Sequence, residues 1–466
     1  MIDWLQGAFE SINGYLWGPP MLILLVGTHI FLTFRLKFIQ RHVFKGIKLS
    51  VTKDKGAEGD VSQFGALVTA LAATLGTGNI IGVATAVVMG GPGAIFWLWI
   101  VGVFAIATKY AEGLVAVKYR VKTANGTMLG GPMYALENGL NMKWAAILFS
   151  IFCSLAAFGI GNAVQANSIS DAITRQVKSS FDFGLSSHVV AAIIFILTFI
   201  VIIGGIKSIA NVAEKVIPAM AILYIIANIS IIAMNITYVP EALVLIVKSA
   251  FTPQAAGGGF VGSTIILAMR WGVARGLFSN EAGLGSAPLA AASATTRNPV
   301  RQALVSMSAV FWDTIIMCLL TGLMYTTTIL KNPDYFTGVK PVELALKTFE
   351  QIPAIGPWII TICIALFAWT TIVGWCFYGE RTMEYLFGKV ALVPYRVAFC
   401  IVAYIGAVVP LALVWEAADT MNALMAIPNV LSVLLLSTVI AKESKKYLWD
   451  DNLEAYSDDV IRELGK

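Results

Sequence analysis

The residues best suited to bind a solute are Gly76-Thr77-Gly78-Asn79, in the middle of the apolar stretch TALAATLGTGNIIGVATA at residues 69–86. Glycine in a helix interior costs up to about 1 kcal/mol relative to alanine, and a helix facing lipid gains nothing from it. Broken backbone at membrane depth is tolerated only where it is buried in protein or lines a cavity. The pattern therefore predicts a discontinuous helix whose freed backbone groups bind a solute.

The predicted break offers both hydrogen-bond donors and acceptors. N–H groups at the start of a resumed half-helix lie at the positive end of its dipole, so those of Thr77, Gly78 and Asn79 suit a carboxylate. Freed carbonyls at the end of the preceding half-helix, those of Ala72 and Leu75, suit a hard cation such as Na⁺. We expect a small solute and a cation to bind side by side here.

A second segment offers hydroxyl oxygens for the same cation. Thr370 and Thr371, in ALFAWTTIVGW, lie in the middle of an apolar stretch, and adjacent residues reach slightly different depths of one site. The alternative is that each threonine bonds to the carbonyl four residues earlier in its own helix. Both interpretations stand at this point.

Polar and aromatic side chains elsewhere are candidates for a substrate pocket. Gln165 lies three residues after Asn162 on one helical face. Buried amides need partners, which a substrate or a neighbouring helix would supply. Bulky rings near the breaks or the threonines would shrink the cavity and favour a small side chain, with ordinary packing as the alternative. These rings belong to Trp271, Phe278, Phe367 and Trp369.

An ionisable residue inside an apolar span is taken, as a first hypothesis, to have a functional role. One interpretation of Arg275 and Glu281 is that they only brace the broken helix. For Glu416 and Asp419, at the end of the last apolar stretch, a charged gate and an ordinary interfacial helix start are the alternatives. The ionisable residues at predicted membrane depth are Arg270, Arg275, Glu281 and Asp313.

The composition sets the class of protein that positions these residues. The 466 residues are 58% hydrophobic and 13% charged, whereas soluble domains are about 25% charged, so we predict an all-α polytopic membrane protein. The net charge of +5 lies mainly in loops and indicates lipid headgroups rather than nucleic acid. The sequence has neither a metal-binding cluster nor a nucleotide motif nor a nucleophile–base pair, so we expect neither an enzyme nor an organic cofactor.

Apolar stretches of about 20 residues predict membrane spans. We expect about eleven, at residues 18–36, 62–88, 93–115, 144–168, 188–204, 209–236, 262–292, 301–329, 355–386, 394–413 and 416–441. Lys and Arg concentrate in the loop after the first span and in every second loop thereafter, a bias typical of cytoplasmic loops. The N-terminus is therefore predicted outside and the C-terminus in the cytoplasm.

Two of these spans are interrupted at matching positions. Once the first helix is set aside, the breaks fall in the first and sixth of ten spans, where Asn79-x-x-Gly82 recurs as Asn280-x-x-Gly283. Interrupted segments in corresponding positions of inverted halves point to a transporter's binding site, and close-packing glycines are the alternative. The predicted units are an N-terminal helix and basic loop (1–61), two inverted five-helix repeats (62–236 and 237–441) and a charged tail (442–466).

The second break is expected near residues 271–276, in ILAMRWGVARGLFSNEAGLG. There Trp271, Gly272 and Gly276 would face the substrate, and freed carbonyls would accept its ammonium group. A shorter segment, GTMLGGPMYALEN at residues 126–138, is too short to span; a re-entrant helix and an ordinary loop are its alternatives.

Three strings in this sequence resemble the alanine or glycine:cation symporter family, the sodium:alanine symporters of the amino acid–polyamine–cation superfamily. They are LAATLGTGNIIGVATA at residues 71–86, GGPGAIFWLWIVG at 90–102 and RGLFSNEAGLGSAP at 275–288. The strings are long, specific and correctly ordered, and the spans cover essentially the whole chain. Leu98 stands where the family's FWMW string has methionine, which is a volume-conserving difference.

The resemblance implies the leucine-transporter-like fold, with two inverted five-helix repeats, two discontinuous helices and one extra N-terminal helix. It implies Na⁺-driven import of alanine and glycine, with D-alanine as a further candidate, by alternating access across the cell membrane. A cation site joining the first and eighth core helices would map to Ala72, Leu75, Thr370 and Thr371. The expected partners are a small neutral amino acid, Na⁺ and lipid, with no obligate protein partner. A proton-coupled transporter of the same fold, an ion channel and a membrane-embedded enzyme are the alternatives.

Overall fold

The computed structural model describes residues 2–54, 56–253, 264–409, 412–458 and 461–464, and the regular secondary structure within these ranges is helical apart from three strands of two residues each. The prediction of an all-α protein is confirmed. The first half forms α1 (Ile2–Leu16), α2 (Pro19–Arg35), α3 (Val43–Ser50), α4 (Gln63–Thr74), α5 (Val83–Gly90), α6 (Gly93–Lys118), α7 (Pro132–Tyr134), α8 (Lys143–Phe158), α9 (Val164–Phe181), α10 (Ser187–Ile202), α11 (Gly205–Met234) and α12 (Val239–Phe251).

The second half continues the helical order with shorter helices around its own interruptions. It forms α13 (Ile265–Asn280), α14 (Pro288–Ala291), α15 (Pro299–Val310), α16 (Leu319–Lys331), α17 (Pro341–Phe349), α18 (Gly356–Phe387), α19 (Leu392–Val408), α20 (Ala412–Leu435) and α21 (Ser437–Ser444). Turns of π-helix, at Gly159–Ala163 and Phe311–Cys318, join α8 to α9 and α15 to α16. Such turns are frequent at functional sites.

Eight helical stretches in the described part of the chain are long and apolar enough to cross a membrane, and the bent pair α4–α5 makes nine. The chain is therefore a multi-pass membrane protein. Each of the eleven predicted spans contains a helix, but α10 and α13 have only 16 residues each, and the count of eleven stays a prediction. The orientation of the termini and the division into repeats are predictions as well.

Side-chain caps fix the starts of the helices that matter for the site. The Ser62 hydroxyl accepts the Gly65 N–H at 2.8 Å where α4 begins. The Asn298 side chain accepts the Arg301 N–H at 3.1 Å, and Pro299 follows it at the first position of α15. Serine and asparagine satisfy helix N–H groups that have no partner within the helix, and proline needs none at that position.

Helix α6 lies at the centre of the molecule and packs closely along α13. A side chain at Gly272 would collide with the Ala94 carbonyl of α6, and one at Gly276 would lie 2.7 Å from Val101 Cγ1. The Gly-x-x-x-Gly spacing therefore lets two backbones approach closely, as in other membrane helix pairs. The predicted break near residues 271–276 is wrong, because α13 runs without interruption from Ile265 to Asn280.

The segment of residues 126–138 neither spans nor forms a long helix. It contains strand β2 (Met128–Leu129), antiparallel to β1 (Val121–Lys122), and the short helix α7. The charged tail returns to the same place, because strand β3 (Arg462–Glu463) pairs with β1 in parallel. Arg301 also donates to Glu454 of the tail at 2.6 Å.

Candidate functional site

The first break divides α4 from α5 with a bend of 54°. Helix α4 ends at Thr74, Leu75 takes an extended conformation, and the chain resumes through a π-helical turn at Gly78–Gly82. The Asn79 side chain closes the break by accepting the Gly76 N–H at 3.1 Å, while the Asn79 N–H donates to the Gly76 carbonyl at 3.2 Å. The helix is discontinuous at the position that Gly76 and Gly78 predicted.

Helix α18 contributes a hydroxyl directly to this break. Thr371 Oγ1 lies 3.5 Å from the Leu75 carbonyl oxygen and 2.9 Å from the carbonyl of Phe367. The Gly76 N–H, the usual helical donor to the Ala72 carbonyl, is turned to Asn79 instead. The oxygens of Leu75 and Thr371 therefore meet at one point, and the Ala72 carbonyl has lost its usual helical donor.

Thr370 behaves differently from its neighbour. Its hydroxyl donates to the Phe367 carbonyl at 3.0 Å and faces Met220 of α11, with Oγ1 3.8 Å from the sulfur. Each hydroxyl bonds within its own helix, Thr371 to the carbonyl four residues earlier and Thr370 to the one three residues earlier, and that of Thr371 also reaches the break. The cation interpretation stays a prediction.

A small pocket lies directly against the first break. It is lined by Thr77, Gly78, Gln165, Phe278, Thr371 and Trp375, with Glu281 and Asn422 among the other lining residues, and its volume is about 20 Å³. The Thr77 hydroxyl donates to Gln165 Oε1 at 3.2 Å. A volume of this size holds about one water molecule, so a larger solute requires a side chain in the wall to move.

A wider cavity of about 260 Å³ shares part of its wall with this pocket. Both spaces share Thr77, Gly78 and Phe278 in their walls. Arg275 lines the wider cavity, with its guanidinium carbon 5.8 Å from the Phe278 ring centre and 5.4 Å from that of Trp271. The Phe278 ring, close to the Arg275 guanidinium, therefore belongs to the wall of both spaces.

Several predicted residues lie away from the pocket. Asn162 donates to the Phe399 carbonyl of α19 at 2.7 Å, which is the inter-helix alternative. Phe367 is fully buried with its ring centre 5.4 Å from that of Tyr224. The other predicted residues that do not line the pocket are Asn79, Trp271, Gly272, Gly276 and Trp369.

The second break lies at residues 281–286, after α13. Glu281 adopts a left-handed conformation (φ 54°), and Gly283 and Gly285 also have positive φ values, which glycine adopts without strain. Glu281 accepts the Ser286 hydroxyl at 2.7 Å and the indole N–H of Trp375 at 3.1 Å. The predicted brace between Glu281 and Arg275 is therefore replaced by these two contacts.

Two charged residues of α6 form hydrogen bonds with backbone groups at the second break, where the regular bonding of the helix ends. The Lys109 ammonium donates to the Asn280 carbonyl at 2.8 Å, where α13 ends. Glu112 Oε1 accepts the N–H groups of Gly283 and Gly285 at 3.0 and 3.2 Å. The carbonyl of Asn280 and the N–H groups of Gly283 and Gly285 are therefore bonded within the protein.

Asp313 organises a third buried cluster around Asn79. Asp313 Oδ1 accepts from the Asn79 amide at 2.7 Å, and Oδ2 accepts the hydroxyls of Ser279 and Thr314 at 2.9 and 2.7 Å. The carboxyl group therefore ties the first break to α13 and to the π-helical turn at Phe311–Cys318. The intramembrane charge predicted as functional acts here through Asn79.

Four important residues were missed from the sequence: Lys109, Glu112, Trp375 and Asn422. Lys109 and Glu112 carried a usable signal, because charges inside an apolar span are functional hypotheses by default. Asn422 is a polar residue in the last span and gave a weaker signal of the same kind. Trp375 gave none, since aromatic residues are common in packed helices.

The apolar spans, the bent helix and the pocket at its break are those of a multi-pass membrane transporter. The sequence profile of the Sodium:alanine symporter family matches residues 2–460. The chain belongs to that family, and the resemblance seen in the sequence is confirmed.

Relatives and solved structures match nearly the whole chain. It is 48% identical over 445 residues to "Sodium/alanine symporter AgcS" of Methanococcus maripaludis, covering 94% of this chain and 96% of that protein. It is 48% identical over 459 residues to an "Uncharacterized transporter" of Haemophilus influenzae, covering 98% and 99%. The crystal structure of MhsT in complex with L-phenylalanine matches with a TM-score of 0.58 at 15% identity, covering 86% of this chain and 96% of that one. The last match shows the fold, which is leucine-transporter-like.

Proposed function

We propose that this protein imports small neutral amino acids together with Na⁺ by alternating access between the two sides of the membrane. Alanine and glycine are the proposed substrates, with D-alanine as a further one. The observation that carries the proposal is the meeting of Thr371 Oγ1 and the Leu75 carbonyl at 3.5 Å, beside the pocket at the first break. Membership of the sodium:alanine symporter family supports it.

The cation site combines backbone and hydroxyl oxygens. Two oxygens that lie about 2.3–2.6 Å from one hard cation, at right angles, are separated by about 3.3–3.7 Å. The 3.5 Å between Thr371 Oγ1 and the Leu75 oxygen fits that geometry. The Ala72 carbonyl adds a third oxygen without its usual helical donor, and a rotation of the Thr370 side chain would supply a fourth.

The substrate would bind where the pocket offers both signs of partial charge. Its carboxylate would take the N–H groups of Thr77 and Gly78 at the start of the resumed helix. Its ammonium would face Asn422, whose Oδ1 is buried and has no hydrogen-bond partner in the described part of the chain. Once a side chain in the wall moves to admit the amino acid, Phe278 and Trp375 still line the pocket around it, and two bulky rings there favour the small side chains of alanine and glycine.

Coupling follows from one shared element. Na⁺ would fix the Leu75 carbonyl, and the next residues along the chain, Gly76 to Gly78, hold the amino acid, so each solute stabilises the backbone that the other needs. Such reciprocal stabilisation is a coupling free energy. The membrane potential adds about 2.3 kcal/mol per charge per 100 mV to the driving force.

Liposomes containing the purified protein test the proposal. An inward Na⁺ gradient should drive accumulation of labelled alanine, and K⁺ in place of Na⁺ should not. Excess unlabelled glycine or D-alanine should compete with the label, and phenylalanine should compete poorly because of the narrow pocket. Accumulation that is indifferent to Na⁺ would contradict the coupling.

Gly76→Ala should reduce uptake at least about tenfold, because overpacking costs about 1–3 kcal/mol. A Cβ at Gly76 would lie 2.7 Å from Thr371 Oγ1, between the two halves of the cation site. Gly82→Ala, in the same segment, is the matched control, since no described atom lies within 4 Å of its Cβ position. Initial uptake rates measure both variants. Equal loss in the two would show that the segment only needs flexible glycines.

Proton-coupled transport is the second candidate, favoured by one observation. Asp313 is a fully buried carboxyl group that contacts Asn79 of the first break at 2.7 Å. A titrating group at this position would let a proton gradient act on the same segment. Uptake of alanine driven by an inward proton gradient in the complete absence of Na⁺ would favour this candidate over the first.

A further inference from the structure

The second break is fixed to its surroundings through one oxygen of Glu112. Oε1 accepts three donors: the N–H groups of Gly283 and Gly285 at 3.0 and 3.2 Å, and the Asn429 amide of α20 at 2.6 Å. Asn429 also donates to the Gly283 carbonyl at 2.8 Å. The carboxyl group therefore joins α6, the second break and α20.

The other oxygen of the same carboxyl group has no such role. Glu112 is fully buried, and Oε2 has no hydrogen-bond partner among the described residues. An ionised carboxylate spreads its charge over both oxygens, and a buried charge without a partner is costly. A proton on Oε2 removes the charge and leaves Oε1 as a carbonyl acceptor for all three donors. The geometry at Glu112 thus fits a protonated carboxyl group.

The neighbouring charges support the same assignment. Lys109, one helical turn earlier in α6, carries a positive charge and donates to the Asn280 carbonyl. Both oxygens of Glu281 accept donors, from Ser286 and Trp375, which suits an ionised carboxylate. If Lys109 and Glu281 are both charged, a neutral Glu112 leaves these three neighbouring groups without net charge.

A second titratable group lies beside the same backbone. His29 of α2 contacts the Thr108 hydroxyl at 2.7 Å through Nδ1, while Nε2 is buried without a partner in the described ranges. Its Cε1 lies 3.7 Å from the position of a Cβ at Gly283. Lys109 of α6 and Tyr378 of α18 interact electrostatically with Glu112, while Glu281 and His29 lie at the same break.

We propose that Glu112 is a proton-binding site that sets how tightly the second break is tied to α6 and α20 during transport. On release, the Oε2–H bond breaks, its electron pair stays on the oxygen, and a water molecule accepts the proton. The three bonds to Oε1 then become charge-assisted and stronger, which tightens the break. On protonation they weaken, and the break is freer to move.

The test of this inference uses Na⁺ and alanine as ligands, and in that respect alone the inference rests on the proposed function. Na⁺ and alanine are added to detergent-solubilised protein in weakly buffered solution, and protons released or taken up are followed with a pH-sensitive dye over about pH 5–8. Tryptophan fluorescence reports binding in the same sample. We expect a pH-dependent proton exchange in the natural protein and at least a fivefold smaller exchange in Glu112→Gln, which keeps the carbonyl acceptor and binds both ligands.

Glu443→Gln is the matched control, because Glu443 of α21 is a largely buried carboxylate paired with Lys118 at 3.0 Å, with no hydrogen bond to the second break among the described residues. This variant should exchange protons as the natural protein does. If Glu112→Gln exchanges as many protons as the natural protein at the same pH, or if the natural protein exchanges none, the proposal is overturned.

Two further measurements keep the test decisive. Should Glu112→Gln fail to fold, Asn429→Ala removes the donor at 2.6 Å, and the midpoint of proton exchange should move up by about one pH unit; an unmoved midpoint contradicts the proposal. Should Na⁺ and alanine not bind at all, the proposed function fails. Infrared difference spectra between acidic and alkaline buffer need no ligand, and a carboxylic acid band missing only in the Glu112 variant would still support the proton site.

Discussion

Thr371→Val should raise the Na⁺ concentration for half-maximal alanine uptake by about 10- to 100-fold. The hydroxyl is the side-chain oxygen that reaches the Leu75 carbonyl, at 3.5 Å. An interaction of a polar group with a charge contributes about 1.5–3 kcal/mol, and each 1.4 kcal/mol changes an equilibrium constant about tenfold. Valine keeps the shape of the side chain and removes only that oxygen. Uptake rates measured against Na⁺ concentration in liposomes give the half-maximal value.

Thr361→Val is the matched control for this prediction. Thr361 lies on the same helix α18, is buried, and bonds to the Pro357 carbonyl at 2.7 Å, away from the break. Its replacement should leave Na⁺ activation unchanged. At saturating Na⁺, Thr371→Val should recover most of its maximal rate, because the alanine contacts are retained. An unchanged half-maximal Na⁺ concentration in Thr371→Val would remove Thr371 from the cation site.

The first break could be predicted because its cause is local. Glycines at Gly76 and Gly78 disfavour helix wherever they occur, and polar residues beside them have few uses at membrane depth except around a cavity. Thr370 and Thr371 could be predicted for a similar reason, since their hydroxyls lie in the middle of an apolar span. The structure brings Thr371 to the break but turns Thr370 toward Phe367 and Met220. That difference depends on helix rotation, which the sequence pattern does not specify.

The second break was misplaced because glycine has two opposite uses in a membrane helix. Gly272 and Gly276 keep α13 intact and let it pack on α6, whereas Gly283 and Gly285 adopt positive φ values after the helix ends. Propensity alone treats the four residues alike. What separates them is α6, whose Lys109 and Glu112 receive the backbone groups of residues 280–285. Those partners lie far away in sequence, so the position of the break depends on tertiary contacts.

The walls of the pocket at the first break also depend partly on tertiary contacts that the sequence pattern does not specify. Thr77, Gly78, Gln165 and Phe278 were predicted and do line the pocket. Trp375 and Asn422 complete it from α18 and α20, and each is brought there by packing between helices distant in the chain. The free-energy cost of glycine within a helix therefore identified the centre of the candidate site, whereas the residues at its edge are determined by helix packing.

Asp313→Leu should strongly reduce transport and lower the stability of the protein. The carboxyl group accepts from Asn79, Ser279 and Thr314, and leucine would leave these buried donors without an acceptor, at about 1–3 kcal/mol for each. Asn79 in turn closes the first break through the Gly76 N–H. We expect uptake to fall at least about tenfold, since losing even about 1.4 kcal/mol at the break changes its population by that factor. Thermal unfolding followed by tryptophan fluorescence should begin at a lower temperature.

Asp313→Asn separates the charge from the hydrogen bonds. The amide keeps one acceptor oxygen of the same shape, so the Asn79 contact and the folded state should survive with a smaller loss of stability than in the leucine variant. Asp334→Leu, at an exposed aspartate in the turn before α17, should unfold like the natural protein. Because Asp313 contacts Asn79 of the break that we propose to bind both solutes, Asp313→Leu should weaken Na⁺ and alanine binding together. Loss of only one of the two would show that the break is not the shared element.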